Sequence, residues 1–397
     1  MKIMRNYCFL LITLLFLFSL SCDEKQLLPI TESKGKPQKV TDVQVEVVPG
    51  GAIINYRIPN VEDILGVKGV YTLSSGESYE AMASFYENKL EVLGFNDTMS
   101  HDVKIYTFNR AEELSDPVVV SFTPLESPLS RVSKTVHIIS DFGGAQFNWV
   151  NEEKAPLNFE FLTQDSLGRM QTMRIITSEA DTSRYSLRGY EPTPRVFAAI
   201  IRDYWNNVTD TIYPPEGTIV PLFEERLDKT KMTIMKLGND ANFTNWEGVD
   251  GYLIDDDYDN FGHSPNSSLP APFTIDLGEK AKISRVVLFQ RKYSDSYYNW
   301  GNPKKISIYG SVTKPSQSGD WSEWTKIMDA EVIKPSGSPT GTVTDEDMAA
   351  ASEGHEFVFE LTQEPLRYVR IVVHSTWEGT TFTHPAEVDV FGEVVNE

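Results

Sequence analysis

The sequence predicts an all-β protein of three tandem β-sandwich domains, and three observations carry that expectation. Short runs alternate apolar and polar residues with the period of a half-buried strand, as in His101-Asp-Val-Lys-Ile-Tyr-Thr-Phe-Asn109. Turn residues recur about every ten positions between such runs, the spacing of sandwich folds. Amphipathic helical periodicity is scarce along the chain. With 397 residues, 40% of them hydrophobic and 23% charged, there is room for several domains with sizeable cores.

At the N-terminus Lys2 and Arg5 precede an apolar run over 8–18 that is too short to span a bilayer comfortably. It ends at Ser19-Leu-Ser-Cys22, which resembles a bacterial lipobox with Ser19 in place of the usual Leu. The resemblance implies a signal peptide over 1–21 and lipidation of Cys22, so that the protein meets the membrane through its lipid anchor alone. Loss of 1–21 also removes Cys8 and leaves Cys22 as the sole cysteine, so no internal disulfide is expected and the cores alone hold the domains. Residues 22–38 are polar and punctuated by Pro29, Gly35 and Pro37, the composition of a flexible tether. Asp23-Glu24 resembles the surface-export signal of Bacteroidetes lipoproteins, which implies an outer-membrane, cell-surface location. The net charge of −21 argues against nucleic acid or an anionic membrane surface as the main partner.

Residues 39–126 form the first expected sandwich. Val40, Val43, Val45 and Val47 lead through the turn Pro49-Gly50-Gly51 into Ala52–Ile58, and the strand 101–109 is followed by Val118–Phe122. The order resembles a fibronectin type III or immunoglobulin-like module. Tyr79–Glu87 fits a short helix or a strand equally. The second sandwich, 127–230, has expected strands at Ser133–Ser140, Gln146–Val150, Leu157–Leu162 and Arg195–Arg202.

The third unit, 231–397, carries the most distinctive stretch. Leu253-Ile-Asp-Asp-Asp-Tyr-Asp-Asn-Phe-Gly-His-Ser264 packs five side-chain oxygen donors around a turn, a pattern that suits a hard divalent cation. Strand-like runs follow at 273–278, 283–291, 306–311, 366–373 and 386–392. That order resembles the discoidin, or coagulation-factor type C, family of galactose-binding-like jelly-rolls over roughly residues 235–395. The resemblance implies a structural calcium, with Asp255, Asp257, Asn260 and Glu387 at the ligand positions. Asp256 stands where the family has Gly, and Gly262 where it has Trp.

A sugar site needs an aromatic plane and polar groups to read hydroxyls. The loop Gln290–Gly301 interleaves Tyr293, Tyr297, Tyr298 and Trp300 with Arg291, Asp295 and Asn299, and His374–His384 carries Trp377 and Phe382. His263, Arg291, Tyr297, Tyr298, Trp300 and Trp377 are the expected carbohydrate-binding residues; Trp246 is left unassigned. Trp321 and Trp324 are expected in the core, and the polar insertion 334–347 is expected to be mobile. The six histidines show no His-Glu-x-x-His spacing, and neither a nucleophile elbow nor a phosphate-binding loop is found, so no catalytic role is expected. The assembly of lipobox, tether and sandwiches resembles the polysaccharide-utilisation surface lipoproteins of Bacteroidetes. This implies capture of a polysaccharide or oligosaccharide for an outer-membrane uptake system with a TonB-dependent transporter. The alternative is an adhesion or assembly protein binding a protein partner through the same loops.

Overall fold

A computed structural model describes residues 34–60, 63–292 and 297–395. The expected signal peptide, Cys22, the first part of the tether and Tyr293 lie outside the described residues. What is described is mostly β, arranged as consecutive antiparallel sandwiches.

The first domain has seven strands: β1 (Thr41–Val48), β2 (Gly51–Arg57), β3 (Ile64–Thr72), β4 (Ser78–Ser84), β5 (Lys89–Leu93), β6 (His101–Asn109) and β7 (Val118–Phe122). They form sheets β1-β2-β5 and β4-β3-β6-β7. Val103 and Ile105 point inward from β6, as the alternation predicts, and meet Ile54, Val67 and Val92 in the core. Within the ambiguous stretch, Tyr79–Ser84 resolve as strand in β4, where they pair with Gly66–Tyr71 of β3. In β1 the expected alternation breaks. Asp42 takes φ 51 and the register slips between Thr41 and Gln44, so Val40 is buried while Val45 and Val47 face solvent.

The second domain opens with a helix, α1 (Pro128–Thr135), where a strand was expected from Ser133. Ser127 caps it by accepting from Ser130 N, Pro128 occupies the first turn, and Leu129 and Val132 enter the core. Strands β8 (His137–Asp141), β9 (Gly144–Val150), β10 (Leu157–Gln164), β11 (Met170–Ser178), β12 (Thr182–Leu187) and β13 (Phe197–Arg202) follow. They make sheets β11-β10-β13 and β12-β9-β8. The two sheets meet through aromatic rings, with Trp149 stacked on Phe159 at 4.2 Å and Phe161 on Tyr185 at 4.7 Å.

The third domain comprises β14 (Glu225–Arg226), β15 (Thr233–Met235), β16 (Ala271–Gln290), β17 (Pro303–Ser311), β18 (Thr325–Glu331), α2 (Asp345–Glu353), β19 (His355–Val358), β20 (Leu366–Thr376) and β21 (Pro385–Val394). The main path runs β14-β21-β16-β20-β17-β18, and β15 and β19 also pair with β16. Two runs expected as separate strands are the halves of β16. Residues 271–276 pair with β20 and residues 281–290 with β21, and the change of partner falls at Gly278. Gly278 has φ 79, and a Cβ there would lie 2.4 Å from Lys231 O, so only glycine allows this bend. The end of the second unit packs on the third: Glu225 and Arg226 pair with Gly392 and Phe391, and Leu227 enters the third core.

The insertion 334–347 is held in place, contrary to expectation. Lys334 is buried and its ammonium donates to the carbonyls of Ser338, Pro339 and Thr342. Asp347 forms a capping box with Thr344 and also accepts from Ser336 N and Oγ at 2.9 and 2.7 Å. Trp324 is buried as expected. Trp321 is 44% exposed, with the Arg370 guanidinium 4.2 Å from its ring.

Candidate functional site

Four loops at one end of the third domain are zipped together by main-chain bonds. His263 N donates to Phe243 O and Asn245 N to His263 O, Ser264 N donates to Thr383 O, and His384 N donates to Gly301 O. Gly248 allows the first contact, since a Cβ there would sit 2.4 Å from His263 N. Between these loops lies a cleft of about 610 Å³ lined by Trp246, Glu247, Phe261, His263, Asn266, Arg291, Trp300, Phe382 and His384.

Both tryptophans sit at the cleft on left-handed backbone, Trp246 at φ 53 and Trp300 at φ 45, and are 82% and 38% exposed. Bulky residues in that region carry strain of roughly 1–3 kcal/mol, which is typical of ligand-contacting positions. Behind them the walls are rigid. The His263 ring stacks on Phe382 at 4.8 Å, and the Arg291 guanidinium lies 3.6 Å over Phe261.

The two histidines are fixed in the same tautomer. His263 Nδ1 lies 2.7 Å from Ser264 O, so Nδ1 carries the proton and Nε2 is left as an acceptor. His384 Nε2 accepts from Gly301 N at 3.0 Å, which places its proton on Nδ1. That Nδ1 is buried and has no partner beyond its own main chain. Burial lowers both imidazoles from their ordinary value, His384 to about 3, and the nearby Arg291 charge acts the same way. Both are neutral at physiological pH.

The cleft therefore gathers three of the six expected sugar-binding residues, His263, Arg291 and Trp300. The other three are corrected. Tyr297 and Tyr298 are 7% and 0% exposed and belong to the core. Tyr298 is held there by its N–H to Gln290 Oε1 at 2.6 Å and by an edge contact with Trp377 at 5.2 Å. Trp377 packs against the same core, with the Lys304 ammonium 4.7 Å from its ring, and does not line the cleft. Sequence reasoning missed Trp246, Glu247, Phe261, Asn266 and His384 as cleft residues. Trp246 had a legible signal, a large aromatic among turn-forming residues in Asn245-Trp-Glu-Gly248; His384 had none.

The acidic loop lies beside the cleft. Asp255 accepts from Asn260 Nδ2 and Asp257 N at 2.9 and 3.1 Å, and Asp257 accepts from Asp259 N. Glu387 is fully buried on β21, where it accepts from Asp256 N and from the Lys229 ammonium at 3.0 and 2.8 Å. The expected calcium set therefore does not fit an ion as it stands. Its one buried carboxylate is engaged by a lysine, and among the described residues no group of three His, Cys, Asp or Glu is arranged to hold a metal. Gly262 replaces the expected tryptophan because its space is filled: a Cβ there would lie 2.9 Å from Leu253 and 3.0 Å from Phe243. Among the described residues no helix is long and apolar enough to cross a membrane.

Three different family models match the chain, over residues 37–124, 125–230 and 250–392, each described as a domain of unknown function. No curated protein matches. Among solved structures, a SusE-like protein is 30% identical, covering 67% of this chain and 98% of that one, with a TM-score of 0.44. The C-terminal domain of a chitobiase from Bacteroides fragilis is 23% identical over 43% of this chain and 100% of that one, with a TM-score of 0.31. The module CBM32-1 of a family 31 glycoside hydrolase from Clostridium perfringens is 19% identical over 40% of this chain and 93% of that one, with a TM-score of 0.27. By that identity across nearly the whole of the SusE-like protein, the chain belongs to the SusE-like family.

Proposed function

We propose that the protein is a non-catalytic glycan-binding lipoprotein of the outer-membrane surface, and that the cleft of the third domain is its carbohydrate site. The observation that carries this reading is the placing, in one cleft, of two exposed tryptophans beside a neutral imidazole, His263, whose Nε2 is left as an acceptor. An indole plane suits the apolar face of a pyranose. His263 Nε2 can accept from a ring hydroxyl, while Asn266, Glu247 and Arg291 supply further polar groups. The volume of about 610 Å³ lies within the usual range for small-ligand sites. A concave site of this kind favours a sugar over the flat patch that a protein partner would use.

In this reading the two N-terminal sandwiches space the site from a lipidated Cys22, and a TonB-dependent transporter complex takes up what is captured. Affinity electrophoresis of the protein through gels containing plant, host and microbial polysaccharides tests the proposal. Retardation by at least one polysaccharide is expected. Free migration through all of them would turn the assignment toward a protein partner.

A further inference from the structure

We propose that Lys229 is the fixed internal cation of the acidic loop and fills the role that the resemblance assigns to calcium. Its ammonium lies 2.5 Å from Asp389 Oδ1, 2.8 Å from Glu387 Oε1 and 3.2 Å from Asp256 Oδ1, with the lysine side chain only 3% exposed. Three converging carboxylates, two of them buried, need a compensating charge, and here it is covalently part of the chain. Arg226 adds a second, 2.9 Å from Asp256 Oδ1 and 3.5 Å from Asp389 Oδ1. The Tyr258 hydroxyl completes the cluster, donating to Asp389 Oδ2 and accepting from Arg226.

This accounts for a departure that the sequence comparison leaves unexplained. Asp256 stands where the discoidin pattern has glycine, yet it keeps glycine's backbone, with φ 69. The substitution adds a carboxylate aimed at Lys229 and Arg226, which glycine cannot provide. A divalent cation on Glu387 would lie close to the lysine ammonium, and the two like charges would repel each other. The carboxylates of Asp255 and Asp257 are engaged by Asn260 Nδ2 and by main-chain N–H groups. One oxygen stands on the side of an ion: Asn260 Oδ1 is buried and has no partner.

Lys229 lies in the segment that enters the third domain from the second, so the cation reaches the loop only when that segment is docked through β14.

Thermal melting of the whole protein in excess CaCl2 and in EDTA tests the inference. The wild type is expected to melt at one temperature in both. Lys229→Met is expected to melt lower in EDTA and to recover by about 4 °C or more in calcium, the behaviour of a protein that has gained a site for the ion. Lys229→Arg is expected to stay insensitive to calcium. A wild type stabilised by calcium would overturn the inference, as would a folded Lys229→Met without any calcium response. Should Lys229→Met fail to fold in either condition, the wild type and Lys229→Arg decide it by the same criterion.

Discussion

At the scale of single residues, exposure separates aromatics that face the cleft from those that build the core beneath it. Trp246, Trp300 and Tyr298 all take left-handed backbone, but the two tryptophans are exposed whereas Tyr298 is fully buried under Trp377. Trp300→Ala is accordingly expected to weaken glycan binding tenfold or more while leaving the melting temperature within about 2 °C of wild type. Tyr298→Ala removes a buried ring and is expected to cost about 3–5 kcal/mol of stability in chemical denaturation. A stable Tyr298→Ala protein that has lost binding would reverse the two roles. Loop composition identified the aromatic-rich segment, but four aromatics within eight residues look alike in sequence. Which of them turn inward depends on Gln290 accepting the Tyr298 N–H and on Lys304 lying against Trp377, contacts made with neighbouring strands.

At the scale of elements, the strands that alternate cleanly were legible, because a period-two pattern buried on one face admits a single register. The misreadings fall where a local device overrides that pattern. The slip at Asp42 turns Val45 and Val47 outward, and the Ser127-Pro128 cap starts a helix just before β-branched residues that favour strand. The polar composition of 334–347 suggested mobility, yet the segment is tied down by Lys334 and by the capping box of α2. Burial opposes ionisation of Asp347, but hydrogen bonds from Thr344 and Ser336 prevail and bring its carboxyl down to about 2. Asp347→Ala is therefore expected to lose roughly 1–3 kcal/mol of stability and to open the 334–344 loop to limited proteolysis. Unchanged protease resistance would show that the loop is held by Lys334 alone.

At the scale of the whole molecule, charged contacts tie the second and third domains together. Arg285 pairs with Glu224, Arg188 lies 3.4 Å from Glu356, and Arg184 lies 2.7 Å from Glu360. The first and second domains meet where Trp205 covers Gly94 and Asn207 donates to Gly94 O. None of these pairings was visible in the sequence, since they join residues far apart in the chain through surfaces that only the folded domains create.

Stability against acid is also a property of the whole. Burial lowers His355 to about 4 and, joined by the Arg291 charge, His384 to about 3. In the unfolded chain both take up protons near pH 6.5, so below that pH the unfolded state binds more protons than the native one. Their contribution is then complete above about pH 6.5 and declines as the pH falls toward 4 and 3. Urea denaturation at pH 7.5, 5.5 and 4.5 should show a stepwise loss, and a flat profile would contradict the burial of these rings.

The central claim is that the third-domain cleft holds the sugar. The most direct measurement is isothermal titration calorimetry with an oligosaccharide cut from a polysaccharide that retards the wild type, comparing wild type, Trp246→Ala, Trp300→Ala and Trp377→Phe. The account predicts that the two cleft variants lose tenfold or more in affinity and that Trp377→Phe binds as the wild type does. Loss of binding in Trp377→Phe, with both cleft variants unaffected, would place the site elsewhere and contradict the account.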